Sequence, residues 1–368
     1  CQMNSRVGDI IYNKNKIVEI IKTKVKDGIT SILVFPELAI SGYIPLDQLN
    51  YNDLHNQIET AIEEIKSVVI SDIVIVGAPR KVIVKHKIIL YNSAYVIANG
   101  KIQYIIDKTL LPNYDVFHEK RYFLPSNGPE VFTIGGIKIG LQICEDMWDD
   151  RPEHSIKVTQ EQVNLGAEII INISASPYYW EKPEDRLAVV QNHVHSAKGS
   201  VSFAYVNLVG SQDEIVFDGR SFLVGSDGRL MSFIEPYEEG YLIFEYDRNL
   251  KKIVFGSDLP NSYIKTWEEE IFTAIKINLL DYLEKNHLNK KVIIALSGGI
   301  DSALTVVLAE KILGKQNVMS IYLPTKFSAD ESRESAKILA NNLNIQLLEV
   351  PIDQIHSLMV ETIQSNVE

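Results

Sequence analysis

The stretch VIIALSGGIDSALTVVLAEKIL (residues 292–313) decides the fold class of the later part of this sequence. It begins with a short apolar run rich in β-branched residues, passes through a glycine turn, and continues as an apolar segment long enough for a helix. Strand, tight glycine turn and helix in this order are typical of an α/β unit whose turn binds an anion.

The segments that follow repeat this alternation. The pattern predicts a helix over 301–313, a strand over 318–323, a helix over 329–343 and a strand over 346–351. Because parallel neighbouring strands need a crossover connection, this β-α-β-α-β order predicts a doubly wound parallel α/β domain. With the amphipathic helical segment that precedes it, we predict that this domain occupies residues 266–368.

The earlier part of the sequence follows another pattern. Strand-like runs such as SILVFPE (31–37), IKIGLQICED (137–146) and EIIINISASP (168–177) end in turn signals, with helical stretches between them. Two sheets with helices on their outer faces accommodate this alternation. The turn-rich segment 249–265 is predicted to be a linker, so the first domain is predicted to span residues 1–248.

Composition narrows the function classes. The net charge of −12 argues against a broad nucleic-acid-binding face, and the apolar runs are too short for a membrane-spanning helix. Two cysteines in 368 residues are no disulfide framework, which favours a reducing, cytoplasmic location. We therefore expect a cytoplasmic protein with no nucleic-acid or membrane partner. We also expect no prosthetic group, since no CxxC or Cys/His cluster suggests a zinc site or an iron–sulfur cluster.

Three reactive side chains come at the ends of strand-like runs in the first part. Glu37 ends ILVFPE, Lys108 ends YIIDK, and Cys144 ends IKIGLQIC. Taken singly they fit a solvated carboxylate, a surface ammonium and a core thiol. Together they supply a nucleophile for an amide carbon, a base for its proton and a cation for the oxyanion, to which the backbone N–H of Glu145 would add a donor.

The motifs around these residues carry a family resemblance. The segments FPELAISGY, KTLLPNYDVFHEKRYF and LQICEDMW resemble the nitrilase-like amidases over about residues 1–247. The resemblance implies an α-β-β-α sandwich in which Glu37 is the general base, Lys108 stabilises the oxyanion and Cys144 is the nucleophile. It also implies that Glu119 is a second glutamate beside this triad.

Two further segments point to one branch of that superfamily. LPNYDVFHEKRYF and VGSQDEIVFDGRSFLV (209–224) look like the glutaminase domain of the glutamine-dependent NAD synthetases. By this resemblance Tyr114 contacts glutamine, and Ser176 and Lys182 hold its charged end. Glu181 stands where the matching element of the family has glycine. The alternatives are a turn residue for Ser176 and a solvated charge for Lys182.

The glycine turn of residues 292–313 has chemistry of its own. SGGIDS (297–302) lacks the Gly-Lys-Ser/Thr element of a Walker A loop. Gly298 and Gly299 nevertheless allow close approach of an anion, and the following helix offers free N–H groups. The hydroxyls of Ser297 and Ser302 add donors. A plain glycine turn with helix-capping residues is the alternative.

This loop resembles the pyrophosphate loop of the N-type ATP pyrophosphatases. The resemblance implies that Ile300 belongs to the ATP-binding loop and that Ser328, in PTKFSADES, helps to bind the nucleotide. Asp301 is misplaced for a phosphate contact, so we expect it to bind Mg²⁺. The implied reaction takes glutamine, ATP and deamido-NAD to glutamate, NAD, AMP and pyrophosphate.

Three alternatives stay open. Asparagine synthetases join an N-terminal cysteine glutaminase to a similar ATP loop, which would make Cys1 the nucleophile, but that family follows its cysteine with glycine whereas Gln2 stands here. A stand-alone amidase or glutaminase whose later segment binds a regulatory nucleotide is the second alternative. A degenerate scaffold without activity is the third.

The resemblance also implies more chain than is printed here. The family continues with dinucleotide-binding segments and a further Mg²⁺ carboxylate beyond the point that matches Glu368, so we expect this sequence to be a portion of a longer polypeptide. If the 368 residues are the whole protein, we expect glutamine hydrolysis without NAD synthesis. Assembly as a homo-oligomer is expected from the resemblance.

Overall fold

The computed structural model describes residues 1–24, 31–256 and 266–367. The chain forms two compact units, Cys1–Asp281 and Tyr282–Glu368.

The helices of the described residues are α1 (Ile10–Lys24), α2 (Asn52–Val68), α3 (Glu119–Tyr122), α4 (Val158–Asn164), α5 (Lys182–Ser196), α6 (Trp267–Lys285), α7 (Ile300–Leu313), α8 (Asp330–Leu343) and α9 (Asp353–Val367). Short 3₁₀ helices cover Leu46–Asn50, Cys144–Trp148 and Lys315–Asn317.

The strands are β1 (Ile32–Val34), β2 (Ile73–Val84), β3 (Lys87–Ala98), β4 (Lys101–Asp107), β5 (Val131–Ile134), β6 (Ile137–Ile143), β7 (Ile169–Ser174), β8 (Ser202–Asn207), β9 (Val209–Gln212), β10 (Ile215–Asp218), β11 (Phe222–Val224), β12 (Leu230–Phe233), β13 (Phe244–Asp247), β14 (Lys252–Gly256), β15 (Val292–Ala295), β16 (Val318–Tyr322) and β17 (Gln346–Glu349).

Two sheets form the centre of the first unit. One has the strand order β1-β2-β3-β4 and the other the order β12-β11-β8-β7-β6-β5. In β2, Ile73 and Ile75 belong to an apolar cluster shared with β6 and β7, whereas Val74 and Val76 belong to a second cluster with α1 and α2. Successive side chains of a strand point to opposite faces, so this alternation places the first sheet between the second sheet and these helices.

The second sheet has the same two-sided character. Ile169 and Ile171 of β7 pack in the cluster between the sheets, while Ile170 packs with Val190 and Val194 of α5. The layers therefore run helix, sheet, sheet, helix. The predicted α-β-β-α sandwich is confirmed for this unit.

The segment predicted as a linker contains a strand. Strand β14, which covers 252–256, pairs antiparallel with β13 inside the first unit. Residues 257–265 of the predicted linker lie outside the described residues.

The second unit contains a parallel sheet of order β15-β16-β17. Val306 of α7 and Ala336 and Ala340 of α8 are buried, as the helices that connect consecutive parallel strands require. The predicted β-α-β-α-β order is confirmed, with element ends within about two residues of the expected ones.

No helix among the described residues is both long and apolar enough to cross a membrane.

Candidate active site

A buried ammonium between two carboxylates forms the centre of the site. Nζ of Lys108 lies 2.7 Å from Oε1 of Glu37 and 2.8 Å from Oε1 of Glu119. The side chains of all three residues are inaccessible to solvent. A buried cation needs such partners, because removing an unpaired charge from water costs several kcal/mol.

Glu37 is held from several sides. It lies three residues beyond the end of β1, and Ala175 donates its backbone N–H to Oε2 at 2.8 Å. Asn92 donates its side-chain amide to Oε1 at 2.7 Å. The loop approaches β2 at Gly77, where an added Cβ would lie 2.4 Å from the backbone nitrogen of Leu38. A glycine is therefore required at this point for Glu37 to reach the site.

Glu119 differs electrostatically from an ordinary surface glutamate. Tyr43 donates its hydroxyl to Oε1 at 2.9 Å, whereas Oε2 has no hydrogen-bond partner within the part of the chain that the structure describes. Burial raises the pKa of Glu119 to about 7, against the opposing effect of the Lys108 ammonium. Burial also opposes protonation of Lys108, but the carboxylates of Glu119 and Glu37 outweigh it and hold the pKa of Lys108 well above its usual value.

Cys144 directly follows β6 and begins the 3₁₀ helix Cys144–Trp148. Its φ of +47° lies in the left-handed region that residues other than glycine rarely adopt. Such backbone strain is found most often at functional sites. The residue is 4% exposed and therefore buried.

A residue that the sequence reasoning missed, Asp146, fixes this turn. Its carboxylate accepts the backbone N–H groups of Ile143 at 2.9 Å, Thr109 at 3.0 Å and Leu110 at 2.7 Å. The first of these N–H groups precedes Cys144 and the other two follow Lys108. One carboxylate thus ties the Cys144 and Lys108 segments together, and an acidic residue two positions after the cysteine was the only signal for it.

The charges around Cys144 explain the state of its thiol. Burial raises the pKa of Cys144 far above its usual range, and the Glu37 carboxylate raises it further. The Lys108 ammonium acts in the opposite direction. The thiol is therefore protonated at rest and needs a nearby base before it can act as a nucleophile.

The predicted glutamine-binding residues lie in the same unit. Ser176 follows β7 and is buried, Lys182 is the first residue of α5, and Tyr114 is about one third exposed. Nζ of Lys182 lies 3.8 Å from the centroid of the Trp148 ring, within the same turn that begins at Cys144. A thiolate at Cys144 would raise the pKa of Lys182, which indicates that the two side chains lie near each other.

Lys182 is poorly solvated, and its ammonium lies over the rings of Trp148 and Tyr179. Burial, and next the charge of Arg186, lower its pKa to about 8. The residue before it, Glu181, has a φ of +69° and so adopts the left-handed conformation. This is the position at which the resembling family has glycine, and glycine adopts that conformation without steric cost.

A second cluster that the sequence reasoning missed surrounds the Glu145 carboxylate. Tyr114 donates its hydroxyl to Oε2 of Glu145 at 2.8 Å, and Arg151 and His154 lie 3.1 and 2.9 Å from Oε1. Arg151 also donates to the Tyr114 hydroxyl. The sequence predicted a role only for the backbone N–H of Glu145. Its side chain is buried and adds a carboxylate whose charge acts on Cys144.

The nucleotide loop in the second unit has the predicted strand–turn–helix form. Gly298 has a φ of +86°, and an added Cβ would lie 2.2 Å from the backbone oxygen of Ser332. Gly299 caps α7, whose first turn leaves N–H groups without intrahelical acceptors. The hydroxyls of Ser297 and Ser302 lie 3.0 Å apart, and the Ser302 hydroxyl also lies 3.0 Å from the Gly299 carbonyl oxygen.

A cavity of about 510 Å³ adjoins this loop within the second unit. Among the predicted nucleotide-binding residues, Ser297 and Ser328 line it, while the remaining ones, including Ile300 and Asp301, do not. Ile300 is 79% exposed, and Asp301 lies exposed in the first turn of α7. The hydroxyl of Ser328 accepts the Thr325 backbone N–H at 2.9 Å, which fixes the turn that carries Ser328.

The surroundings of Cys1, the alternative nucleophile, differ from those of Cys144. Cys1 is partly buried against the apolar cluster between α1, α2 and the first sheet. Cys144, by contrast, is the thiol on which the charges of Glu37, Lys108 and Glu119 act.

Comparison with protein families agrees with both parts of the sequence reading. Residues 1–252 match the carbon-nitrogen hydrolase family, and residues 271–368 match the NAD synthase family. A glutamine-dependent NAD(+) synthetase from Aquifex aeolicus is 35% identical over 96% of this chain. This chain spans 65% of the length of that curated relative, slightly less than two thirds.

Solved structures give the same result. A glutamine-dependent NAD+ synthetase from Acinetobacter baumannii, in complex with ADP, covers 98% of this chain with a TM-score of 0.85 and 29% identity, and this chain covers 65% of it. An amidase from Nesterenkonia sp. shares the fold, with a TM-score of 0.54 and 20% identity over 73% of this chain and 92% of its own. The predicted resemblance is thereby confirmed: the chain belongs to the carbon-nitrogen hydrolase family through residues 1–252, and residues 271–368 are similar to the NAD synthase family.

Proposed function

We propose that the first unit hydrolyses glutamine at Cys144 and that the second unit contributes the ATP-binding part of a site that uses the ammonia to amidate deamido-NAD. The observation that carries the glutaminase half is the buried Glu37–Lys108–Glu119 cluster whose charges act on the Cys144 thiol. The similarity to glutamine-dependent NAD synthetases supports the whole reaction.

The first step forms a thioester. Glu37 accepts the proton of the Cys144 thiol as the sulfur attacks the carboxamide carbon of glutamine. The negative charge that develops on the carboxamide oxygen is stabilised by the Lys108 ammonium and the backbone N–H of Glu145. The carbon–nitrogen bond then breaks, the nitrogen takes the proton from Glu37, and ammonia leaves a glutamyl thioester on Cys144.

The second step restores the enzyme. Glu37, again ionised, accepts a proton from water as the water oxygen attacks the thioester carbon. The carbon–sulfur bond breaks, the sulfur recovers a proton, and glutamate is released. Glu119 holds Lys108 in position throughout, since its Oε1 accepts from both the Lys108 ammonium and the Tyr43 hydroxyl.

The ends of the substrate find complementary charges. The Lys182 ammonium, without a carboxylate partner among the described residues, is suited to the α-carboxylate of glutamine, together with the Ser176 hydroxyl. The buried Glu145 carboxylate, with Tyr114 beside it, is suited to the α-ammonium. A simple amide offers neither group, so these residues favour an amino acid amide.

The second unit offers groups that fit ATP. The N–H groups at the start of α7 and the close backbone approach at Gly298 suit a pyrophosphate, and the cavity lined by Ser297 and Ser328 has room for a nucleotide base. Asp301, an exposed carboxylate in the first turn of α7, fits the oxygen ligands that Mg²⁺ prefers. When bound, Mg²⁺ would neutralise phosphate charge.

The proposed overall reaction consumes ATP to activate a carboxylate. The deamido-NAD carboxylate displaces pyrophosphate from ATP, and ammonia then displaces AMP from the resulting acyl adenylate to give NAD. Because protonated ammonia is not a nucleophile, the ammonia released at Cys144 must reach this step without equilibrating with bulk water. A cytoplasmic location and a homo-oligomeric assembly are part of the proposal, the former supported by two free thiols and the latter by the resemblance alone.

Product analysis of the protein at its natural length tests this proposal. The protein is incubated with deamido-NAD, ATP and Mg²⁺, with either glutamine or an ammonium salt as nitrogen source, and NAD and AMP are measured. We expect AMP formation that depends on deamido-NAD, and a Cys144→Ala variant that uses ammonium but not glutamine. Glutamate release without deamido-NAD-dependent AMP would instead identify a glutaminase with a nucleotide-binding regulatory unit.

A further inference from the structure

Four buried charged side chains form a continuous series of ion pairs that ends beside Ser176, one of the proposed glutamine-binding residues. Arg186 lies 2.7 Å from Oδ1 of Asp218, and Arg220 lies 2.9 Å from Oδ2 of the same carboxylate. Arg220 also pairs with Glu270. The first three side chains are inaccessible to solvent and that of Glu270 is 3% exposed, so two positive and two negative groups balance inside the unit.

Stability alone is a weak explanation for such a series of buried ion pairs. Burying ions costs several kcal/mol each, and replacing a buried ion pair by apolar residues is often neutral or stabilising. Its members come partly from the segment VGSQDEIVFDGRSFLV, which carries Asp218 and Arg220 and to which the proposed chemistry assigns no role. The contacts of Arg186, at one end of this series of ion pairs, indicate its function.

Arg186 forms hydrogen bonds with the side chain of Ser176 and with the backbone around it. Its Nε donates to the Ser176 hydroxyl oxygen at 3.2 Å, and its Nη2 donates to the backbone oxygens of Ser176 at 2.9 Å and Pro177 at 3.0 Å. Asn207 accepts the Ser176 backbone N–H at 2.9 Å. The backbone and the side chain of Ser176 are therefore both fixed.

This arrangement sets the polarity of the Ser176 hydroxyl. A hydroxyl has one donor proton and two acceptor lone pairs. Because Arg186 occupies a lone pair and has no acceptor of its own, the O–H proton must be donated elsewhere. Lys182, one helical turn before Arg186 on α5, projects from the same face of the helix, so a donor hydroxyl and an ammonium lie on one side of the site.

We propose that Arg186 is a positioning residue, which presents the Ser176 hydroxyl as a donor to the α-carboxylate of the substrate while Asp218 holds Arg186 from behind. This inference rests on the proposed glutaminase function. It adds that the preference for an amino acid amide over a simple amide depends on a guanidinium that touches no substrate atom.

Alkylation of Cys144 by two electrophiles tests this without requiring turnover. One is the diazoketone analogue of glutamine, which keeps the α-amino and α-carboxylate groups and has a diazomethyl ketone in place of the carboxamide. The other is iodoacetamide, which has no amino acid end. The ratio of their second-order labelling rates reports recognition of that end, while iodoacetamide alone reports the thiol and its neighbours.

The main variant is Arg186→Lys, which keeps the charge beside Asp218 but cannot make the forked contacts with Ser176. We expect its rate with the diazoketone to fall about tenfold or more, the loss of one hydrogen bond to a charged group, with the iodoacetamide rate changed less than about twofold. Asp218→Asn, which keeps the shape and removes the charge that holds Arg186, should give the same pattern if Arg186→Lys does not fold.

Glu270→Gln is the matched control. This variant also removes a buried charge from the series of ion pairs, but at the end far from Ser176. We therefore expect a lower melting temperature and an unchanged ratio of labelling rates. An unchanged ratio in both Arg186→Lys and Asp218→Asn, or an equal fall with both electrophiles, would overturn the inference. A wild-type protein without preference for the diazoketone would instead refute the glutaminase proposal itself.

Discussion

The ammonium of Lys108 lies 2.7 Å from Oε1 of Glu37, and neither side chain is accessible to solvent. Because Glu119 approaches the same ammonium, the cluster contains one cation and two carboxyl groups. This balance keeps Lys108 protonated and leaves the Cys144 thiol neutral at rest. A thiol in this state must lose its proton during attack, which fits the proposed role of Glu37 as the base.

Replacing Lys108 by Met should be severe for both stability and activity. It leaves two buried carboxyl groups without their cation, so we expect the free energy of unfolding to fall by about 3–5 kcal/mol. Lost oxyanion stabilisation should lower kcat by about a hundredfold or more. Chemical denaturation and glutamate release measure the two effects.

Lys14→Met is the control for this prediction. Lys14 pairs with Glu64, whose side chain is about half exposed, so its loss should cost less than about 1 kcal/mol and leave kcat unchanged. Equal destabilisation by the two variants would contradict the charge balance described for Lys108.

The lowered pKa of Lys182 predicts a pH limit on glutamine binding. Since the folded protein releases this proton near pH 8 instead of near its ordinary 10.5, the KM for glutamine should rise as the pH passes about 8. In Lys182→Arg the cation stays protonated, and this rise should disappear. A rise that persists unchanged in Lys182→Arg would assign the titration to another group.

The lowered pKa of Lys182 also affects stability. The effect has the opposite sign to that of a lysine whose pKa is raised by an ion pair. Between about pH 8 and 10.5 the unfolded chain binds more protons at Lys182 than the folded chain does. The contribution of Lys182 to the free energy of unfolding should therefore rise with pH across this window. Urea denaturation of wild type and Lys182→Arg at several pH values measures the difference between them.

Glu181→Gly should stabilise the protein or leave its stability unchanged. Glu181 adopts a left-handed conformation that costs a residue with a Cβ about 1–2 kcal/mol, whereas glycine adopts it freely. Glu181→Ala retains the Cβ and serves as the control, so it should show no comparable gain. Thermal melts of the three proteins decide this, and a lower melting temperature for the glycine variant than for the alanine variant would refute it.

The two glycines of the nucleotide loop should respond differently to alanine. At Gly298 the added Cβ would meet the Ser332 backbone oxygen at 2.2 Å with a φ of +86°, whereas at Gly299 the nearest atom is 3.5 Å away. Gly298→Ala should therefore displace the loop and abolish ATP binding measured by calorimetry, with glutamine hydrolysis unaffected. Gly299→Ala should keep the loop conformation and therefore retain ATP binding in the same calorimetric experiment. Intact ATP binding in Gly298→Ala would contradict the loop assignment.

The fold could be predicted from the sequence, and so could the positions of Glu37, Lys108 and Cys144 near strand ends, because both depend on local signals. The catalytic roles of these three residues stay a prediction. Glu37, Lys108 and Cys144 each end an apolar run, and strand ends present side chains to one edge of a sheet. The left-handed Glu181 also had a signal, since glycine is the residue that the resembling family has there.

The supporting contacts had no such signal. Asp146 binds backbone N–H groups 36 and 37 residues away, and Arg186 meets Asp218 across 32 residues. Pairings of this length follow from the packing of the two sheets and α5, and no periodicity in the sequence encodes them. The partners of the Glu145 carboxylate could not be predicted for the same reason, because Tyr114 lies 31 residues before Glu145 in the sequence.

The central claim is that Cys144 is the nucleophile of a glutaminase. Its most direct test is the rate of glutamate release from glutamine by wild type, Cys144→Ala and Cys1→Ala under identical conditions. The account predicts release by wild type and Cys1→Ala at similar rates, and none above background by Cys144→Ala. Glutamate release that survives in Cys144→Ala and is lost in Cys1→Ala would contradict it.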